Sequence, residues 1–414
     1  MVRELNRREV LGSIGGGALA GFAGCISQSG GGGDFEARLG VLLPLSGDLA
    51  SVGKPIRDGA ILPKKTIEAG DAPITIDQRV EDTQTDPQAG VSAANDLVNA
   101  GYPMVTGPAS SGVNLQVTRE SLIPNGAIGC SPSSTSPNVT TLDDNDLIFR
   151  TAPSDALQGQ VMAQVGSQNL EANTTAALYV NNDYGQALFE SFKQSFEDGG
   201  GTVQTGVAFR KEKDSYSTEL GEAMADDPDM LVIIGYPASG IQIFRDYYAE
   251  YSTETDILVT DGLQSGDLPG NVGEDMSNVY GTAPLPSGPG NDAFVSQYEN
   301  EYGRSPGVFN SHAYDASAVQ LLAATRAGEN DGNTIKEEMR TVANPDGGTE
   351  ITPANLVEGV QLAAEGEPIN YVGASSSVDF DENGDMKAVT YSFWRFNTDV
   401  EGNIEQISTV NFGG

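Results

Sequence analysis

Arg38-Leu39-Gly40-Val41-Leu42-Leu43-Pro44-Leu45 is a short apolar run closed by a proline. A run of that length without polar alternation reads as a strand covered on both faces. The pattern outward from it alternates. A helix is expected over 53–69, a strand over 74–81, a helix over 87–99 with Pro87 in its first turn, a strand over 102–106, a helix over 112–122 and a strand over 127–130. Strands alternating with helices predict a parallel sheet with helices on both faces, an α/β architecture. After Ile148-Phe149-Arg150-Thr151 the series repeats. Helices at 157–168, 184–196, 218–224 and 241–251 alternate with strands at 176–180, 203–209, 230–234 and 257–260, a second unit with its own core. Further helices are expected over 292–302, 309–327, 334–341 and 353–364, then β-rich sequence at 378–380 and 389–396.

The chain has 414 residues, enough for two or three domains and a sizeable core. Its 58 acidic residues against 22 basic ones leave a net charge of −36, spread along the whole length. Lys and Arg clusters that could neutralise phosphates are absent, which excludes nucleic-acid binding and a polybasic grip on anionic lipid. Acid excess of this size means strong self-repulsion in dilute buffer, screened at ~1 M salt where the Debye length is roughly 3 Å. The chain therefore reads as one that works in concentrated salt and folds weakly without it; an acidic secreted protein with surplus solubility is the plainer alternative. One His and two Cys leave no zinc site, no Cys/His nucleophile pair and no expected cofactor or metal.

Residues 1–24 read as an export signal. Arg7-Arg8 stands ahead of a Gly-rich apolar run, Val10 to Ala23, that is too short to span a bilayer. The pair resembles a twin-arginine signal, and Phe22-Ala23-Gly24-Cys25 resembles a lipobox, where the leader is cut and Cys25 is acylated. Residues 25–36, with Ser27 to Gly33, then form a lipid-anchored flexible linker. Cys130 is left without a disulfide partner and reads as a small buried residue at a strand end.

Motifs for chemistry are few. Gly199-Gly200-Gly201 lies between a helix and a strand and reads as a turn, not a phosphate cradle. Asp381-Glu382-Asn383-Gly384-Asp385 has a calcium-like look but lacks the spaced ligands of an EF-hand loop, so a polar turn is expected. His312, at a helix start, reads as structural or capping rather than catalytic. Asn138-Val139-Thr140 and Asn173-Thr174-Thr175 match the glycosylation sequon. What stands out is hydroxyl-rich sequence after two strands of the first unit, Gly107-Pro108-Ala109-Ser110-Ser111-Gly112 and Ser131-Pro132-Ser133-Ser134-Thr135-Ser136-Pro137. Ligands of open α/β sheets sit outside the carboxyl ends of the strands, and such clusters suit an anionic group. Ordinary helix capping by serine is the alternative.

Taken in order, these segments resemble the extracellular solute-binding proteins of ABC importers, the branched-chain amino-acid (Leu/Ile/Val-binding) family, over roughly residues 37 to 400. Leu43-Pro44-Leu45-Ser46-Gly47 is similar to the family's opening loop, and the two serine-rich loops to those that hold a ligand carboxylate. Phe149-Arg150-Thr151-Ala152-Pro153 is similar to the first crossover, Asn182-Asp183-Tyr184-Gly185-Gln186 to the Tyr-Gly segment, Ala313-Tyr314-Asp315-Ala316 to a helix motif and Val378 to Asp385 to the closing segment. The resemblance implies a two-lobed type I periplasmic-binding-protein fold, with one lobe from 37–151 and 284–345 and the other from 152–283 and 346–414. It implies capture of a small solute, an amino acid of branched-chain type, by clamshell closure and delivery to an ABC permease and its ATPase, with no enzymatic step. Ser111 and Thr135, with the backbone at Ser110 and Ser133, would take the carboxylate. Tyr184 would close over the ligand, Asp261 would take the ammonium beside Tyr236, and Tyr314 would be a wall or hinge contact. Ser133 and Ser134 stand where the family carries small apolar residues, and no apolar side-chain subsite can be picked out. A surface sensor domain of the same fold, or a receptor for amides, urea or small carboxylates, remains open. The expected setting is the outer face of the cell membrane, reached only through the lipid anchor, as a monomer.

Overall fold

The computed structural model describes residues 35–345 and 347–412; the export-signal and Cys25 readings lie outside them. The founding strand, β1 (Phe35–Leu43), is buried over its second half, as its unbroken apolar run requires. It is followed by α1 (Ala50–Ala69), β2 (Ile74–Asp82), α2 (Pro87–Asn99), β3 (Met104–Thr106), α3 (Ser111–Val117, continued by a π-helical turn to Leu122), β4 (Ile128–Ser131) and β5 (Ile148–Arg150). Local chemistry sets several boundaries. The Asp86 carboxylate accepts from the Ala89 amide at 2.9 Å, so α2 starts where its first-turn proline predicts. All five strands run parallel in the order β2-β1-β3-β4-β5. The chain leaves β1 to one side and returns on the other, so a crevice opens at the carboxyl ends of β1 and β3.

The second unit repeats the plan. It comprises α4 (Asp155–Gln164), β6 (Thr174–Val180), α5 (Asp183–Asp198), β7 (Thr202–Phe209), α6 (Ser217–Ala223), β8 (Met230–Ile234), α7 (Pro237–Glu250), β9 (Asp256–Val259), α8 (Leu268–Val272) and β10 (Val279–Pro284). Strand β6 again has its successor on one side and β8 on the other, which places a second crevice at the ends of β6 and β8. The chain then returns to the first half as α9 (Asn291–Tyr302), α10 (Asn310–Ala327), α11 (Gly332–Ala343), β11 (Thr349–Ile351), α12 (Leu356–Glu365) and β12 (Ile369–Tyr371). Finally β13 (Val389–Phe396) and β14 (Ile404–Phe412) join the second sheet antiparallel, giving β14-β13-β10-β9-β8-β6-β7. Helix α10 is buried for nearly its whole length between α1, α11 and α12.

One expected boundary is wrong. Residues 346–414 do not all belong with the second half, because α12 turns its apolar face (Leu356, Val360, Ala363) onto α1 and α10. The Gln361 side chain seals this contact by donating to the Asp71 carbonyl at 2.7 Å. Only β13 and β14 cross back. The stretch 378–380 forms no strand beyond a single bridge, Phe380 to Met386. Strand β14 was not legible because it is an edge strand, half exposed and carrying Glu405, Gln406 and Asn411 among its apolar positions.

Candidate functional site

The two crevices face each other, and the loops at the strand ends meet. From the first half come Ser110, Ser111 and Ser133; from the second come Tyr184, Tyr236 and Asp261. All six line one cavity. The halves are closed on each other. The Ser239 amide and hydroxyl, at the start of α7, donate to the Asp48 carboxylate across the cleft at 2.8 and 2.9 Å. The Lys211 ammonium donates to the Thr85 carbonyl at 2.6 Å, and the Ser110 and Tyr236 hydroxyls lie 3.2 Å apart. The space left is about 30 Å³, room for about two water molecules, so entry of a solute requires the halves to part.

The serine loops owe their shape to each other. Gly107 has φ +117° and sits so close to β1 that a Cβ would lie 2.1 Å from the Leu42 carbonyl oxygen; only glycine lets the chain turn there. The Ser131 hydroxyl donates to the Pro108 carbonyl at 2.6 Å and accepts from the Ser134 amide at 2.9 Å. The Ser136 amide donates to the Ser111 hydroxyl at 3.2 Å. Ser110 precedes α3 but makes no capping bond; its hydroxyl reaches Tyr236 instead, so capping does not account for it.

Beneath the second loop lies Arg150, a fully buried guanidinium. It donates to both carboxylate oxygens of Asp385 at 2.5 and 2.7 Å, to the carbonyls of Ser134 and Ser136 at 3.2 and 2.9 Å, and to the Thr140 hydroxyl at 2.8 Å. Such a bidentate, charge-assisted brace holds a loop that has little regular structure of its own. Asp385 ends the polar turn expected at Asp381–Asp385, in which the Asp381 carboxylate accepts from the amides of Asn383 and Asp385.

On the opposite wall, the Tyr184 and Tyr236 rings stack with centroids 5.6 Å apart. The Asn182 side chain caps α5 by accepting from the Gly185 amide and donates to the Tyr236 hydroxyl at 2.9 Å. The Tyr184 hydroxyl bonds the Thr260 hydroxyl at 2.7 Å and donates to Asp261 at 3.3 Å. Burial pushes the Asp261 carboxyl up to about 6, against the pull of Gln158 and Tyr184. Gly262 lets this loop lie against β8, since a Cβ would come within 2.3 Å of the Gly235 carbonyl oxygen.

Two expected residues are not in the cavity. Thr135 is buried with its hydroxyl turned to the Asp155 carboxylate at 3.0 Å, and does not face the cavity. Tyr314 is a core residue of the first half, edge-on to Phe294 at 5.4 Å, because it lies more than a turn inside α10 on the side facing α9. The residues that reach the site from this region are Val308 and Phe309, the latter held at φ +62° just before the helix. His312 is buried and its imidazole is pushed down to about 3 by desolvation, in keeping with a structural place. Cys130 is buried and its thiol is driven up by the same cause.

The apolar subsite that the sequence did not disclose is present. Leu49, Val52 and Ile56 line the cavity from one face of α1 and the turn before it, with Pro44, Ala109, Val308 and Phe309. The cavity thus combines a hydroxyl-rich end, one carboxylate and an aliphatic wall.

The Asp48 contact is expected to act as a clasp. Asp48→Asn keeps one acceptor but loses the charge, and its bond is worth about 1.5–3 kcal/mol when charge-assisted. Ligand dissociation measured by stopped flow should quicken roughly five- to tenfold, with association little changed. An unaltered dissociation rate would show that the clasp does not hold the closed form.

The profile of the periplasmic binding protein family matches residues 36–390. The chain belongs to that family, a family of solute-binding proteins. It is 28% identical, over 82% of each chain, to the chemotactic signal transduction system substrate-binding protein BasB of Halobacterium salinarum. It is 23% identical to the leucine-, isoleucine-, valine-, threonine- and alanine-binding protein of Pseudomonas aeruginosa, over 92% of this chain and 94% of that one. The crystal structure of a leucine-binding protein from Thermotoga maritima superposes with a TM-score of 0.76 at 24% identity, covering 90% of this chain and 98% of that one, which shows the shared fold.

Proposed function

We propose that this protein captures a small aliphatic α-amino acid between its halves and delivers it to an ABC permease at the outer face of the membrane. One observation carries the reading. A single cavity brings serine hydroxyls from one half opposite Asp261 from the other, and aliphatic side chains wall the space between. A zwitterion needs just such separated donor and acceptor ends, away from water. The wall from Leu49 to Ile56 suits a branched side chain better than an amide or urea, which have no apolar part to bury. Binding is closure without chemistry: the ligand bridges both halves and stabilises the closed form.

The setting belongs to the same proposal. Arg7-Arg8 and Cys25 support export and lipid anchoring, and the net charge of −36 supports work in concentrated salt. The chain is proposed to act as a monomer. The likeness to BasB favours a second use of the same closed form, recognition by a chemotactic receptor beside or in place of the permease. The test is a thermal-shift screen in molar salt against aliphatic amino acids, amides, urea and aromatic acids. Leucine, isoleucine or valine at about 100 Kd should add about 2.7 kcal/mol, a rise of roughly 5 °C. A response confined to ligands without an ammonium group would overturn the assignment.

A further inference from the structure

Behind Asp261 stands a second carboxyl that the amino-acid reading leaves without a task. Asp155 opens α4 and is fully buried. Among the described residues its Oδ2 accepts one hydrogen bond, from Thr135, and its Oδ1 has no donor. The side-chain Oε1 of Gln158, three residues on and on the same helix face, is a second buried acceptor without a donor among the described residues. Its amide nitrogen donates to Thr282 and is shared with Asp261, whose carboxyl it holds down. Leaving buried acceptors unpaired is costly, and for an ionised carboxylate more so. Asp315 in the same molecule shows the contrast: it too is fully buried, but the Tyr371 hydroxyl, the Ala374 and Ser375 amides and the Ser375 hydroxyl all donate to it.

The charged and titratable groups facing Asp155 come from four directions: Asp261 after β9, Tyr184 on α5, Tyr391 on β13 and Arg150 on β5. Arg150 is engaged by Asp385 and the serine loop, and so is poorly placed to hold a second anion. Burial, then the charge of Asp261, drives the Asp155 carboxyl well above the ordinary range, with Thr135 and Arg150 opposing.

We propose that Asp155 stands behind the cavity wall as a neutral carboxylic acid, so that the pocket offers one negative charge, on Asp261, to one ligand ammonium group. This rests on the amino-acid reading and sharpens it, because the pocket then selects α-amino acids with uncharged side chains over ligands with two cationic groups. Protonation removes the charge that would otherwise be buried on an oxygen without a donor. Ligand binding above the Asp261 titration is proton-neutral; well below pH 6 it expels about one proton, the one Asp261 then carries.

The test is infrared difference spectroscopy of wild type against Asp155→Asn at pH 8, where Asp261 and Asp315 are ionised. A protonated-carboxyl stretching band is expected in the wild type, before and after leucine is added, and is lost in the variant. Should Asp155→Asn fail to fold, the wild-type band still decides, and Thr135→Val, which removes the side-chain donor to Asp155, should shift it. No band at pH 8 overturns the proposal. So does calorimetry in two buffers of different ionisation enthalpy if leucine binding at pH 8 releases a proton. If neither leucine nor any other amino acid binds, the amino-acid reading falls while the band still tells whether Asp155 is neutral.

Discussion

Asp261→Asn should lower the affinity for an aliphatic amino acid by about 100-fold or more, because it removes the only cavity-lining carboxylate among the described residues that can face a ligand ammonium. Truncating one partner of a buried charge pair costs about 2–5 kcal/mol. Isothermal titration reads the loss directly, and an effect under about threefold would mean that the ammonium sits elsewhere. The pH dependence follows from burial, which raises the Asp261 carboxyl to about 6. Above that value the empty site is ionised and ready. Below it the proton competes with the ligand, and affinity should fall roughly tenfold per pH unit. Stability runs the other way. A carboxyl whose folded pKa is raised contributes stability below its unfolded pKa, and that contribution is lost as pH climbs from about 4 through about 6. The ligand-free Asp261→Asn protein should therefore melt no lower than wild type at pH 7, while its ligand-induced shift disappears. Affinity and stability moving in opposite directions would separate a binding role from a structural one.

Arg150→Met should have the largest effect on stability. It leaves the largely buried Asp385 carboxylate with only the Thr140 hydroxyl as a side-chain donor among the described residues, and removes the guanidinium donor from two loop carbonyls. Breaking a buried ion pair by removing one partner costs about 3–5 kcal/mol, which lowers the melting point by roughly 10 °C. Affinity should drop as well, by about tenfold, because the brace positions the loop that carries Ser133. Pairing Arg150→Met with Asp385→Leu should restore part of the stability, since no charge is then left unpaired, but not the affinity. A change below about 1 kcal/mol in denaturant unfolding would show the brace to be idle.

Both residues were visible in the sequence for other reasons. Arg150 marked a crossover and Asp385 closed a polar turn, and their 235-residue separation hid the pairing. The aliphatic subsite was hidden differently. Leu49 and Val52 precede the helix expected over 53–69 and only Ile56 lies within it, and nothing in their spacing says that together they wall a cavity. Thr135 was misplaced because a hydroxyl in a serine-rich loop turns toward the nearest acceptor, here Asp155 on a helix of the other half. Tyr314 was misplaced because α10 is buried all round, so periodicity could not tell a site face from a core face.

The sequence by itself determined the alternation of strands and helices, and with it the parallel strands of both sheets and the helices that flank them. Element type is written in local periodicity, which reports burial one or two turns at a time. It also marked the carboxyl ends of the strands where ligand-holding loops must lie, because parallel strands joined through helices bring those ends to one edge of the sheet. Only the tertiary structure decided which loop side chains face the cleft, that Asp48 and Ser239 meet across it, and that α12 belongs to the first half. Those outcomes depend on hydrogen-bond and packing partners dozens to hundreds of residues away, and no local pattern records where such partners come to rest.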